Sequence, residues 1–164
     1  MRYNERKNTT IMAKYVFLNL PAYGHVNPTL AIVQELVSRG HAVSYYNTEE
    51  FRAVIEATGA TFQPYEMRGM GGSSSPMFSP GQAMTNPPEK MPDMKEIGAI
   101  PPTILERVRA DQPDVILYDS MCFWGSKVAE ELYVPAITTY ASFASNKKFN
   151  MMRQMQAGNK NGPG

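Results

Sequence analysis

The sequence predicts an α/β fold in which helices cover both faces of an open, doubly wound parallel sheet. Short apolar runs bounded by turn residues alternate with longer stretches whose apolar residues recur at helical spacing. The runs are apolar throughout instead of alternating, which is typical of strands that are buried on both faces. At 164 residues the chain has the length of one domain.

The first half of this domain is predicted to contain three strands and two helices. Residues 15–20 are the first apolar run. Asn27 followed by Pro28 predicts a helix start, with asparagine as the N-cap and proline at the first helical position. Gly40 is expected to end this helix in a left-handed conformation. The next elements are a strand at 42–46, a helix capped by Thr48 and closed by Gly59, and a strand at 60–65.

The second half begins with an irregular segment. Residues 67–100 are rich in proline, methionine and glycine, which predicts a variable loop region with little regular structure. Helical spacing returns near Thr103, and the fourth and fifth strands are predicted at 115–118 and 136–140. Between them, residues 120–132 predict a helix with Trp124, Val128 and Leu132 on one face. Residues 1–11 and 151–164 are predicted to be a flexible leader and a flexible end around a domain at 12–150.

Composition excludes several classes of function. Sixteen Lys and Arg against fifteen Asp and Glu give a net charge of +1, which argues against a nucleic-acid binder. A single cysteine, Cys122, permits no intramolecular disulfide and no cysteine-based metal cluster, and we expect it to be a buried, inert thiol. No apolar run approaches the roughly 18–20 residues that span a bilayer, and the polar N-terminus is not a secretory signal. We therefore expect a cytoplasmic protein that binds no metal.

Topology indicates where the chemistry lies. In a doubly wound sheet, ligands bind at the carboxyl ends of strands where the strand order reverses. If the order is 3-2-1-4-5, strands 1 and 4 are neighbours at that crevice. The loop after strand 1 carries His25, and Asp119 directly follows strand 4. Such a pair suits proton abstraction, because a neutral imidazole accepts a proton from a hydroxyl while the carboxylate fixes its tautomer. The alternative is that His25 is an ordinary loop residue and Asp119 only caps the next helix.

Other candidate sites are weaker. His41 lies between the helix-ending Gly40 and a strand, so we interpret it as structural. A nicotinamide-binding domain would place Glu49 on a ribose, but the first loop, PAYGHVNP, has only Gly24. The glycines that normally let the backbone approach a pyrophosphate are therefore missing from this loop. A non-catalytic small-molecule-binding module on the same fold stays open as an alternative.

Two stretches of the chain resemble a known family. KYVFLNLPAYGHVNPTLAIVQELVSRGHAVSYYNTEEFRAVIEATGATFQPY resembles the beginning of UDP-dependent glycosyltransferases of the macrolide-glycosyltransferase type, glycosyltransferase family 1. LYDSMCFWGSKVAEELYVPAITTYASF resembles the region around strands 4 and 5 of the same family. The GHVNP loop combined with a later strand-D-x-x-x-x-W pattern is more specific than an isolated glycine motif. The likeness extends from about Met12 to Asn150.

The resemblance implies a fold and a reaction. Members have a GT-B fold of two Rossmann-like domains, of which the N-terminal one binds the acceptor and the C-terminal one binds the nucleotide sugar. This chain would be the N-terminal half. His25 matches the family's catalytic base and Asp119 matches its partner. The reaction would be inverting, metal-free transfer of a hexosyl group, commonly glucose from UDP-glucose, to a hydroxyl of a small apolar acceptor such as a macrolide or flavonoid.

The resemblance also predicts which residues bind the acceptor and whether this chain is active by itself. The predicted acceptor-binding residues are Tyr23, Gly24, Met67, Met70, Phe78 and Phe123. No cofactor is expected to bind this domain, since UDP-glucose would be the co-substrate of the complete enzyme. The donor-binding domain is absent from the 164 residues, so we expect this chain alone to be inactive or nearly so. Exposure of the surface that meets that domain would favour self-association.

Overall fold

A computed structural model describes residues 12–65, 99–101 and 103–141 of the protein. The described residues form five strands: β1 (Lys14–Leu18), β2 (Ala42–Asn47), β3 (Thr61–Pro64), β4 (Val115–Asp119) and β5 (Ala136–Thr139). The helices are α1 (Tyr23–Ser38), α2 (Arg52–Glu56), α3 (Ile104–Asp111) and α4 (Gly125–Leu132), with a 3₁₀ turn at Glu49–Phe51 before α2. The predicted leader at 1–11, the predicted loop region at 67–100 except its last two residues, and the predicted end at 151–164 lie outside the described residues.

The five strands form one parallel sheet in the order β3-β2-β1-β4-β5. This confirms the predicted α/β, doubly wound fold class, and the order is one in which the first and fourth strands are neighbours. The connection from β3 to β4 crosses from one edge of the sheet to the far side of β1. The strand order therefore reverses between β1 and β4, and the carboxyl ends of these two strands form the crevice in which ligands of such sheets bind.

The core consists of two layers, one on each face of the sheet. Successive side chains of a strand point to opposite faces. Phe17 accordingly packs with the apolar residues of α1 and α2, whereas Val16 and Leu18 pack with those of α3 and α4. Trp124 is 2% exposed and belongs to the second layer with Val128, as predicted.

Helix α1 begins earlier than the sequence predicts. Its first residue is Tyr23, and Ala22 occupies the N-cap position without a side-chain capping bond, so the prediction of Asn27 as N-cap was wrong. Pro28 instead lies in the second turn, where its missing N–H leaves the carbonyl of Gly24 without its helical partner. Gly24 is exposed to solvent, which makes this loss tolerable. Tertiary hydrogen bonds to this turn, described below, replace the local capping signal.

Two further predicted helix starts differ from the structure. Thr48 precedes the 3₁₀ turn but makes no capping bond, and its buried Oγ1 has no hydrogen-bond partner among the described residues. The helix predicted from Ser120 begins only at Gly125, because the intervening residues form tight turns. In these turns the N–H of Cys122 donates to the carbonyl of Asp119 at 2.8 Å.

Within the described ranges, none of the helices has both the length and the apolar character needed to cross a membrane.

The ends of α1 and α2 provide a matched test of backbone and packing effects. Gly40 and Gly59 both have φ of +86°, as expected of left-handed helix ends. A Cβ added at Gly59 would lie 2.8 Å from Cγ1 of Val37, whereas one added at Gly40 would meet no atom within 4 Å.

We predict that Gly40→Ala lowers the free energy of unfolding by about 1 kcal/mol, the usual cost of a left-handed alanine. Gly59→Ala should cost about 1–3 kcal/mol more, because the added Cβ would overlap the partly buried, β-branched Val37, which must shift to make room. Urea unfolding of both variants measures the difference. Equal losses would show that the Val37 contact is relieved without cost.

Candidate active site

The carboxyl ends of β1 and β4 bring one histidine and one aspartate together. His25 is the third residue of α1, and Asp119 is the last residue of β4. Nδ1 of His25 lies 2.9 Å from Oδ2 of Asp119. The histidine side chain is 23% exposed and the aspartate side chain 1% exposed. The imidazole therefore lies between a buried carboxylate and the solvent.

The carboxylate of Asp119 is held by both of its oxygens. While Oδ2 bonds His25, Oδ1 accepts the N–H of Met121 at 2.7 Å. A buried carboxylate is costly unless it is paired and hydrogen-bonded, so both bonds are needed to keep Asp119 in place. The tight turn after β4 brings the N–H of Met121 to Oδ1 of Asp119.

This arrangement selects one tautomer of His25. An ionised carboxylate can only accept hydrogen bonds, so Nδ1 of the imidazole carries the proton that Asp119 accepts. In the neutral ring, Nε2 then has a free lone pair. A ring with this tautomer can take a proton from a hydroxyl group, and the carboxylate can stabilise the imidazolium that forms.

A buried asparagine that the sequence analysis did not single out fixes the turn that carries His25. Asn19 directly follows β1 and is fully buried. Its Nδ2 donates to the carbonyl oxygen of His25 at 3.0 Å and to Oη of Tyr45 at 2.6 Å. Its Oδ1 accepts the N–H of Leu20 at 2.7 Å. The available signal was a lone asparagine in an apolar run, a residue type that strands disfavour.

Burial around this network suppresses ionisation of its neighbours. Burial raises the pKa of Tyr45 to about 12. Burial also raises the pKa of the Cys122 thiol well above its usual value. Cys122 is therefore a neutral, buried side chain, as predicted.

A small cavity opens beside the imidazole. Its volume is about 60 Å³, far less than the roughly 300–1,000 Å³ typical of ligand pockets. It lies between α1 and the end of β5. The residues that line it are His25, Pro28, Thr29, Ile32, Asp119, Thr139, Tyr140 and Ala141. The described part of the site can therefore admit the hydroxyl end of a ligand, but not the whole of a drug-sized molecule.

Several residues predicted to bind the acceptor do not line this cavity. The ring of Tyr23 packs edge-on against Phe51 at 4.9 Å, and its hydroxyl bonds Glu50, which raises the pKa of Tyr23. Gly24 and Phe123 are exposed at the same edge of the sheet and do not contribute to the wall. The remaining three predicted residues lie outside the described part of the chain, so their role stays a prediction: Met67, Met70 and Phe78.

The second histidine has a structural environment. Nδ1 of His41 accepts the N–H of Ala13 at 3.2 Å, and its ring contacts Tyr15 edge-on. Among the residues with described positions, no group of three His, Cys, Asp or Glu side chains could hold a metal ion.

Comparison with known proteins gives consistent relatives over most of the chain. No family model matches the chain. It is 37% identical to the NDP-glycosyltransferase YjiC of Bacillus subtilis over 145 residues, which are 85% of this chain and 35% of that protein. It is 32% identical to the demethyllactenocin mycarosyltransferase of Streptomyces fradiae over 154 residues, which are 90% of this chain and 33% of that protein. The chain thus spans about a third of the length of these relatives.

Solved glycosyltransferase structures share the fold. The calicheamicin glycosyltransferase superposes with a TM-score of 0.69 at 24% identity, covering 91% of this chain and 37% of the other. A Streptomyces glycosyltransferase complexed with thymidine diphosphate superposes with a TM-score of 0.58 at 20% identity, covering 84% of this chain and 40% of the other. At these identities the likeness concerns the fold alone. Both matches agree with one domain of a GT-B enzyme.

The buried hydroxyl of Tyr45 predicts a loss of stability at alkaline pH. An unfolded tyrosine ionises near pH 10, whereas the folded one ionises near pH 12, so the unfolded state loses its proton first. This contribution to the free energy of unfolding is complete below pH 10 and falls by about 2–3 kcal/mol as the pH rises to 12. Tyr45→Phe should cost about 1 kcal/mol at neutral pH and make the alkaline fall shallower.

Urea unfolding between pH 8 and 12 measures this slope. Tyr133→Phe is the control, because Tyr133 is 95% exposed, and it should leave the slope as in the parent chain. An unchanged alkaline slope in Tyr45→Phe would contradict the prediction.

Proposed function

We propose that this chain, a homologue of the N-terminal part of NDP- and UDP-glycosyltransferases, is the acceptor-binding domain of an inverting glycosyltransferase. His25 acts as the general base and Asp119 orients it. The observation that carries the proposal is the hydrogen bond of 2.9 Å between these two side chains at the wall of a cavity. The proposed product is a glycoside of a small apolar molecule that bears a hydroxyl group.

The proposed step is one displacement at the anomeric carbon, coupled to the transfer of one proton. The acceptor oxygen forms a bond to the anomeric carbon of the sugar while its proton moves to Nε2 of His25. The bond from that carbon to the nucleoside diphosphate breaks, and the diphosphate leaves with the electron pair. The acceptor attacks opposite the leaving group, so the anomeric configuration inverts. Asp119 stabilises the positive charge that develops on the imidazole.

The charge of the cavity supports an acceptor site over a nucleotide site. A diphosphate requires cationic side chains or clustered backbone N–H groups. None of the eight described residues that line the cavity is lysine or arginine, and one of them is the buried carboxylate Asp119. We therefore propose that the nucleotide sugar binds the part of the enzyme that corresponds to the remaining two thirds of the relatives. UDP-glucose is the donor to test first.

Exposed apolar side chains around the cavity support an apolar acceptor. Ile32 and Tyr140 line the cavity and are 44% and 65% exposed. Met121 and Phe123 follow β4 at the same edge and are 38% and 41% exposed. An acceptor whose hydroxyl reaches His25 would bury part of this surface, as a macrolide or flavonoid would. Self-association and a cytoplasmic location stay predictions.

The catalytic role of His25 is tested in an enzyme with a donor domain. The 164 residues are joined to the remainder of the Bacillus subtilis relative, and transfer from UDP-glucose to a phenolic acceptor is measured. His25→Gln should lower kcat by about 10²–10⁴-fold, the usual contribution of general-base catalysis. Asp119→Asn should lower it comparably, since an amide favours the other tautomer.

The matched control for this measurement is His41→Gln, which changes the second histidine of the chain far from the cavity. It should retain transfer within a few-fold of the parent. Full activity in His25→Gln would overturn the catalytic proposal and favour a non-catalytic binding module.

Acceptor binding is tested on the chain by itself. In a calorimetric titration a phenolic acceptor should bind and UDP-glucose should not. Tyr140→Ala should weaken acceptor binding by about 5–30-fold, which corresponds to about 1–2 kcal/mol of lost aromatic contact. Tyr133→Ala, at the opposite edge of the sheet, is the control and should bind as the parent does. Tight binding of UDP-glucose would mean that the domain has been assigned to the wrong half of the enzyme.

A further inference from the structure

We propose that Asn19 is a positioning residue that holds the imidazole of His25 against Asp119. The geometric part of this inference stands on the described contacts. Its catalytic consequence rests on the proposed function. Asn19 lies directly after β1, whereas His25 lies in the first turn of α1, so this contact joins the sheet to the helix.

Few local interactions hold the first turn of α1 in a fixed position. Its N-cap is Ala22, whose side chain makes no hydrogen bond, and the turn contains no acidic residue to interact with the helix dipole. Gly24 adds backbone freedom within the turn. Pro28 removes a hydrogen bond from the following turn. Interactions with the rest of the domain must therefore determine where His25 lies.

Asn19 supplies these interactions from a fully buried position. Its Nδ2 contacts the carbonyl oxygen of His25 at 3.0 Å, Oη of Tyr45 at 2.6 Å and, more distantly, Oγ1 of Thr29 at 3.4 Å. Its backbone carbonyl accepts the hydroxyl of Tyr65 at 2.7 Å. One side chain thus connects the ends of β1 and β2 with two successive turns of α1.

The donor and acceptor count gives this network a single direction. The hydroxyl of Thr29 donates to the carbonyl of Val26 at 2.7 Å, so its oxygen can only accept from Tyr45, which lies 2.7 Å away. The hydroxyl of Tyr45 therefore donates its single proton to Thr29, and its oxygen accepts an N–H of Asn19. The second N–H of Asn19 is left for the carbonyl of His25. No side-chain group in this network is free to rearrange without losing a buried hydrogen bond.

Loss of this network should weaken the hydrogen bond between His25 and Asp119. That bond has little tolerance, because a hydrogen bond at 2.9 Å weakens steeply when the donor tilts or withdraws. A turn that is released from Asn19 allows the imidazole to rotate away from the carboxylate. The ring then loses its preference for a proton on Nδ1, even though both His25 and Asp119 are still present.

The experiment is nitrogen NMR of the imidazole rings in the full 164-residue chain at a pH where both are neutral. The chain has only two histidines, so His41 serves as an internal reference in every spectrum. In the parent chain His25 should show the Nδ1–H tautomer. Asn19→Ala should shift His25 towards the Nε2–H tautomer that free histidine prefers, and leave His41 unchanged.

Two phenylalanine substitutions distinguish loss of this network from a general loss of stability. Tyr45→Phe removes one partner of Asn19, whereas Tyr46→Phe removes a partly buried hydroxyl bond to Asp111 on the opposite face of the sheet. The two variants should lower Tm by similar amounts. Only Tyr45→Phe should shift the His25 signals, by less than Asn19→Ala does. If Asn19→Ala does not fold, this pair decides the question.

Parent-like His25 signals in the folded Asn19 and Tyr45 variants would overturn the inference, as would an equal shift in Tyr46→Phe. These outcomes are separable from the fate of the proposed function. A tautomer shift in Asn19→Ala together with full transfer activity in His25→Gln would support the positioning role and reject catalysis by His25.

Discussion

Burial of the Asp119 carboxylate constrains the arrangement of the whole carboxyl edge of the sheet. The side chain is 1% exposed, so the charge is stable only while both oxygens have hydrogen-bond donors. The turn after β4 brings the N–H of Met121 to one oxygen, and the first turn of α1 brings His25 to the other. The early start of α1 and the late start of α4 accompany these two contacts, and neither agrees with the local helix signals.

The site that results contains the proposed base, a buried carboxylate and an apolar rim that includes Ile32 and Tyr140, but no cationic side chain among the residues described around the cavity. In the proposed function, such a site binds a neutral hydroxyl compound and not a diphosphate. The cavity of about 60 Å³ would hold one hydroxyl group, and the exposed apolar surface beside it would contact the body of the proposed acceptor. The aligned residues of this chain cover about a third of the length of its relatives.

Two adjacent tyrosines of β2 face opposite sides of the sheet, one towards the candidate site and the other towards the opposite core layer. Tyr45 faces α1 and connects through Asn19 to the turn that carries His25. Tyr46 faces the opposite layer and bonds Asp111 of α3. Both rings are fully buried, and each hydroxyl is hydrogen-bonded. Because successive residues of a strand point to opposite faces, the chain joins the site and the supporting layer within two residues.

The sequence by itself determined the fold class and the order of strands and helices along the chain, because apolar runs and turn residues are local signals. The same signals place His25 after the first strand and Asp119 after the fourth, but only the lateral order of the strands in the sheet brings the two side chains to one crevice. The tertiary structure alone decided that α1 begins at Tyr23, that Tyr23 packs on Phe51 away from the cavity, and that Asn19 joins the site. These features depend on hydrogen bonds between residues on different elements, and their partners cannot be identified until the strands are placed side by side.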